Sequence, residues 1–274
     1  GKNHLNVFYD QTFLSILGLM AWGLGYFGQP HIIVRFMAIR SSKELAQARR
    51  IGIGWMAIGL AGAMMSGLIG FVYYSELNLP LADPEKVFLQ LGETLFHPFF
   101  VGIIISAVLS AIMSTISSQL LVSASSVTQD FVFAFYKKEI SQKAQVAAGR
   151  YAVVAVALVA TALAFSFNES VLNVVGYAWA GFGASFGPVL LFSLYWRRMS
   201  ALAALLGMIT GGATVIAWIA LGLNSYVYEI LPGFAVSCVV IYLTSLYGDA
   251  IDKMSNEPNS ATVQDEFEKM KTRL

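Results

Sequence analysis

Eleven consecutive residues, Ala21-Trp22-Gly23-Leu24-Gly25-Tyr26-Phe27-Gly28-Gln29-Pro30-His31, set three glycines and a proline inside an otherwise apolar run. That composition opposes an unbroken helix. Pro30 removes a backbone donor and crowds the preceding turn. Gly23, Gly25 and Gly28 permit torsions closed to other residues. Backbone released from a helix exposes carbonyls and amides, and these can bind an ion or the polar groups of a small solute. Trp22 and Tyr26 lie one helical turn apart, so both can face the cavity such a break would line. A second reading remains open from spacing alone: the glycines form a packing face and the proline an ordinary kink.

A second row, between residues 106 and 123, holds Ser106, Ser110, Ser114, Thr115, Ser117, Ser118 and Ser123 around Ala111 and Met113. Hydroxyl and carbonyl oxygens are the hard ligands an alkali or alkaline-earth cation prefers. Ala111 and Thr115 are four apart, and a threonine can bond back to the carbonyl one turn before it, which lets that carbonyl tilt outward. The Ala111 carbonyl, Ser114 Oγ and Thr115 Oγ1 can therefore form one side of a sodium shell. Small hydroxyl residues also serve close helix packing, the reading adopted for Ser106, Ser110 and Ser123. Ser114 and Thr115 adjoin, so one hydroxyl points away from any single packing face.

These residues need a scaffold, and composition names its solvent. Of 274 residues, 57% are hydrophobic and only 12% charged, against about 25% charged in a typical soluble domain. Seven apolar stretches are expected to span a bilayer as helices: 13–38, 51–74, 98–123, 151–167, 171–195, 201–223 and 229–247. Uniformly apolar runs of about 20 residues fit helices and exclude the alternating strands of a barrel. Residues 1–12 read as an external stub, 13–248 as a seven-helix transmembrane domain, and 249–274 as a polar cytoplasmic tail with a short helix between Val263 and Leu274. Lys and Arg set the orientation. Arg40, Lys43, Arg49 and Arg50 follow the first span, Lys137, Lys138, Lys143 and Arg150 the third, and Arg197 and Arg198 the fifth. The alternate loops are acidic or nearly uncharged. Residues 76–96 are too apolar for a free loop. They are expected to pack as short helices over an external vestibule, or to lie as an amphipathic segment at the interface. A chain opening at Gly1 with a short polar stub reads as part of a longer one.

The fifth span reads Tyr177-Ala178-Trp179-Ala180-Gly181-Phe182-Gly183-Ala184-Ser185-Phe186-Gly187-Pro188. Gly183 and Gly187 make a small-residue pair suited to packing, Pro188 allows a kink, and the aromatics can close over a solute. Arg35 near the end of the first span is expected to snorkel. No span interior carries a carboxylate, which argues against a proton relay. No nucleophile–base pair, phosphate loop or metal motif suggests an enzyme or a cofactor. His4, His31 and His97 are scattered, Cys238 stands alone, and a net charge of +1 gives no reason to expect a nucleic-acid partner.

The stretch at 21–31, together with Ala111-Ile112-Met113-Ser114-Thr115-Ile116-Ser117-Ser118-Gln119 and the segment from Tyr177 to Ala184, resembles the sodium:solute symporter family, in particular its proline-transporting bacterial members. The likeness covers roughly residues 13–250. It implies an all-α membrane protein of two five-helix inverted repeats, of which this chain would hold the second plus two C-terminal transmembrane helices. It implies sodium-driven uptake of proline across the inner membrane, with Trp22, Tyr26 and Pro30 contacting substrate and Ala111, Ser114 and Thr115 binding sodium. Ser117 and Ser118 resemble ligands of a second sodium site in some relatives. The partners implied are sodium, proline, the bilayer and the missing N-terminal helices of the same transporter. The alternatives are a sodium symporter for another small solute and a membrane sensor or scaffold that does not transport.

Overall fold

The computed structural model describes residues 9, 11–79, 81, 83–133, 141–166 and 170–255. Lys137, Lys138, Glu169, most of the stub before Gln11 and the expected helix near the C-terminus lie outside them. Among the described residues the regular structure is entirely helical. Among the described residues six helices are long and apolar enough to cross a membrane. The chain divides into two compact units, one of residues 1–38 and 167–274, the other of residues 39–166.

The first unit holds α1 (Phe13–Gly25) and α2 (Pro30–Met37), joined by a 3-10 turn at Tyr26–Gly28, then α7 (Val171–Tyr195), α8 (Ala201–Ala220) and α9 (Ile230–Ser255). The sequence sets the helix starts. Thr12, Ser170 and Ser200 each accept a hydrogen bond from the backbone N–H three residues on, satisfying a donor the helix leaves open. After α8 the chain reverses at Gly222, whose φ of +69° favours a residue without Cβ. The core lies where α1, α7, α8 and α9 meet, at Ala21, Ala180, Ala184, Val215 and Ile230. These are mostly small residues, so helix backbones approach closely. A Cβ on Gly233 would lie 2.7 Å from Val215 and 2.8 Å from Ala184, and one on Gly211 would strike the Ala184 carbonyl. Pro188 sits buried inside α7 without ending it.

The second unit holds α3 (Leu45–Glu76), α4 (Val87–Leu95), α5 (Pro98–Ser125) and α6 (Gln142–Ala164), with a π-helical segment at Ser126–Val132. His97 and Ser141 cap α5 and α6. Residues 76–96 include a 3-10 turn at Pro84–Lys86 and then α4, which packs on α3 and α5. Leu91 and Gly92 are buried, Gly70 of α3 abuts Val87, and Tyr74 and Thr94 share a hydrogen bond of 3.4 Å. Asp83 starts the 3-10 turn. Its carboxylate accepts from the Glu85 N–H at 3.0 Å and pairs with Lys86 at 2.9 Å. The Lys86 side chain holds its pKa below the ordinary carboxylate value.

Two expectations on length are corrected. The second span begins at Leu45 and the fourth at Gln142. Arg49, Arg50, Lys143 and Arg150 lie in these first turns, and hydropathy therefore cut the two helices short. The last helix runs on to Ser255, with its apolar stretch at Ile230–Tyr247. A helix satisfies its own backbone and need not stop where the apolar region stops.

Candidate substrate and ion sites

The first apolar span is broken where the glycines and proline cluster. α1 ends at Gly25, three residues form a 3-10 turn, and Gln29 is extended at φ −81°, ψ 113° before α2 begins. The 13 and 8 residues of the two half-helices together rise about 30 Å, the thickness of a hydrocarbon core. Pro30 occupies the first position of α2, where its missing N–H costs nothing. It marks the restart of the helix rather than a kink within it.

The glycines act by lacking a side chain. Gly222 is the described glycine with positive φ, so the break rests on ordinary torsions and close approach. A Cβ on Gly28 would strike the Phe182 carbonyl oxygen and lie 2.6 Å from Gly183 Cα. One on Gly25 would strike the Trp179 indole, and one on Gly183 would lie 2.8 Å from Gly25 Cα. α7 thus lies backbone against backbone on the break. Gly23, by contrast, faces open space. The span is interrupted, and Gly25 and Gly28 pack against α7 at the interruption.

The break frees a carbonyl, and a side chain takes it. The Tyr26 N–H turns to Leu24 rather than to Trp22, and the Trp22 carbonyl accepts the Trp179 indole N–H at 2.9 Å. Trp22 lies nearly parallel to two other rings, with centroids 5.7 Å from Trp179 and 5.9 Å from Tyr228. Tyr26 meets Trp179 edge-on at 4.8 Å. The Tyr228 hydroxyl donates to the Gly176 carbonyl at 3.0 Å, which ties the segment just before α9 to α7. Trp22 and Tyr26 are therefore brought together through Trp179. Trp22 is half-buried and Tyr26 is 40% exposed. Beside this column a cavity of about 360 Å³ is lined by Ser15, Gly18 and Trp22 of α1 and by Asn224, Tyr226 and Tyr228.

In the second unit the hydroxyl row runs along α5. Thr115 Oγ1 donates to the Ala111 carbonyl at 3.2 Å. Ser106, Ser110, Ser117 and Ser118 donate to the carbonyls four residues before them at 2.7–2.8 Å. A hydroxyl whose proton points back at the helix directs its lone pairs outward. The Thr115 bond is the looser one, and Ala111, Ser114, Thr115 and Ser117 are exposed while Ser118 is half-buried. Ala111 and Thr115 form one paired oxygen edge, with Ser114 adjoining. Ser118 bonds instead to the Ser114 carbonyl and Ser117 to that of Met113.

These features have a known counterpart. The family model described as sodium:solute symporter matches residues 2–211. This chain belongs to the sodium:solute symporter family. Among curated relatives it is 54% identical over 245 residues to the high-affinity proline transporter PutP of Bacillus subtilis, covering 89% of this chain and 52% of that protein. It is 48% identical over 244 residues to the osmoregulated proline transporter OpuE of the same organism, covering 88% and 50%. It is 50% identical over 254 residues to sodium/proline symporter 2 of Staphylococcus saprophyticus, covering 89% and 50%. The chain spans about half the length of these relatives. No solved structure matches it.

Sequence reasoning missed three residues at or against the interrupted helix. Trp179 was legible only as one of several aromatics able to close over a solute. Tyr228 lies some 200 residues from Trp22 and carried no signal, and Gln29 passed as part of the motif. The spacing of Gly25, Gly28 and Gly183 could have pointed to Trp179, because two glycine-bearing segments invite backbone contact and a large ring then fills the space beside them.

Proposed function

We propose that this chain is the C-terminal part of a secondary transporter that couples inward sodium movement to uptake of L-proline by alternating access. One observation carries the reading: a membrane helix interrupted at Tyr26–Gln29 beside an aromatic column of Trp22, Trp179 and Tyr228. Secondary transporters bind solutes at such interruptions, because released backbone is tolerated at membrane depth only where it lines a cavity or is buried in protein. The names of the three relatives supply proline as the expected cargo, and the family description with the third name supplies sodium.

In this reading α1 and α2 are the broken first helix of the second inverted repeat, and α3, α5, α6 and α7 complete it. α8 and α9 follow as extra helices. Trp22 supplies a flat wall for the apolar ring of proline. Tyr26 closes the cavity from one side and offers a hydroxyl. Pro30 fixes the start of α2, whose positive end faces the released segment. Ala111, Ser114 and Thr115 supply three oxygens to sodium, none with a full charge, which suits an ion that must be released. Ser117 and Ser118 are candidates for a second sodium site. The remaining ligands would come from N-terminal helices of the same transporter. In the same reading the basic loops face the cytoplasm, as the positive-inside bias favours, so the segment after α9 is cytoplasmic and the protein is a multi-pass protein of the inner membrane. The work is transport, with no catalytic step.

Reconstitution tests this directly. Liposomes containing the chain together with its N-terminal helices should accumulate labelled proline under an inward sodium gradient, and should not under potassium. The chain alone should give no uptake above empty liposomes, because one repeat has nothing to move against. Uptake by the chain alone would overturn the half-transporter reading. Sodium-driven uptake of a different solute, with none of proline, would replace the substrate and keep the class.

A further inference from the structure

Gln29 is the hinge residue of the break and the N-cap of α2. Its backbone carbonyl is used: it accepts from the N–H groups of Ile32 and Ile33, both at 3.0 Å. Its side chain is not. Thr12, Ser141, Ser170 and Ser200 each cap the helix they precede, whereas the Gln29 carboxamide makes no capping bond. Gln29 is 5% exposed, and its Nε2 is buried with no hydrogen-bond partner. Two other buried side-chain atoms among the described residues share that condition, the hydroxyls of Ser237 and Ser245, and both lie within the continuous helix α9. Gln29 stands instead at the interruption between α1 and α2.

A buried, unpaired amide donor is costly, and proteins rarely keep one without use for it. The sign of the missing partner follows from the surroundings. Nε2 offers N–H groups, so the partner must accept. The N-terminus of α2 adds the positive end of a helix dipole, so the partner is favoured if negative. A sodium ion fits neither condition. A carboxylate fits both.

Resting on the reading of the chain as a proline transporter, we propose that Gln29 Nε2 and the N-terminal end of α2 receive the carboxylate of the transported amino acid. Gln29 is then the residue that distinguishes an amino acid from a ring amine lacking the acid group. Trp22 and Tyr26 recognise the ring, and Gln29 recognises the charge.

The test compares two ligands in the full-length transporter carrying this chain: L-proline, and L-prolinol, in which a hydroxymethyl group replaces the carboxylate. Binding is measured for wild type, Gln29→Leu and Gln29→Glu, with the melting temperature of each in the absence of ligand. Loss of a hydrogen bond to a charged group should weaken proline binding of Gln29→Leu by about 10- to 100-fold. Prolinol binding should change less than about twofold, which is under half a kcal/mol. The melting temperature of Gln29→Leu should equal or exceed that of wild type, since an unsatisfied buried donor is gone. Gln29→Glu should lose proline binding by placing like charges together. If Gln29→Leu weakens proline and prolinol equally, or leaves proline affinity intact, or lowers the melting temperature along with the affinity, the assignment fails while the transporter reading stands. A wild type that binds no proline would overturn the substrate reading and this inference with it.

Discussion

Gly28 and Gly23 lie five residues apart in one motif, and the structure expects opposite outcomes from the same substitution. In Gly28→Ala the new methyl would collide with the Phe182 carbonyl and lie 2.6 Å from Gly183 Cα. Both obstacles are backbone, so no rotamer relieves them, and the 3-10 turn must move away from α7. Overpacking of this kind costs about 1–3 kcal/mol. Moving the turn also strains the bond from the Trp179 indole to the Trp22 carbonyl, adding about 1 kcal/mol. The expected destabilisation is about 2–4 kcal/mol. In Gly23→Ala the methyl meets nothing within 4 Å, and a helical glycine becomes alanine, a gain of up to about 1 kcal/mol. Unfolding of the chain in detergent, followed by tryptophan fluorescence against denaturant, should separate the two variants by about 2–5 kcal/mol, the sum of these cost and gain terms. Proline uptake by the full transporter should be lost in Gly28→Ala. Indistinguishable behaviour of the two variants would refute the account in which α7 lies directly on the break.

Trp179→Phe should keep a ring beside Trp22 and Tyr26 but leave the Trp22 carbonyl unpaired, a loss of about 1–3 kcal/mol readable in the same unfolding experiment; a silent substitution would mean the indole bond does not hold the break. Thr115→Val should lower apparent sodium affinity of the full transporter by roughly an order of magnitude, since it removes one oxygen ligand at nearly constant shape, whereas Ser110→Ala should change it little. Equal effects in sodium titrations would mark the hydroxyl row as packing. Gly25→Ala should resemble Gly28→Ala but cost less, because its obstacle is the Trp179 side chain rather than backbone.

The helices were legible because lipid forces long apolar runs into helices, and the break because glycine and proline cluster so densely between Gly23 and Pro30. The reason for the glycines was not legible. A residue needed for close approach and one needed for unusual torsions look alike until the opposing backbone, here Phe182 and Gly183, is in view. The aromatic column was hidden for a related reason. Trp22, Trp179 and Tyr228 are brought together by tertiary packing across long sequence separations, and no periodicity connects them. Gln29 carried no signal because a glutamine before a proline is unremarkable until its burial and idle amide are known. The oxygen row on α5 was fully visible in sequence, since its spacing is local to one helix. The back-bond from Thr115 to Ala111 follows from that same four-residue spacing.

The central claim, that the interrupted helix holds the transported solute while α5 serves sodium, meets its most direct test at Tyr26. Proline affinity, and sodium binding in the absence of proline, should be measured side by side for wild type, Tyr26→Phe and Tyr26→Ala in the full transporter. Tyr26→Phe should lose about one hydrogen bond, on the order of 1 kcal/mol or several-fold in apparent proline affinity. Tyr26→Ala should also lose the aromatic wall that meets Trp179 edge-on at 4.8 Å and fall considerably further. Sodium binding should be nearly unchanged in both. Proline affinity left intact by Tyr26→Ala, or sodium binding that falls in step with it, would contradict the account.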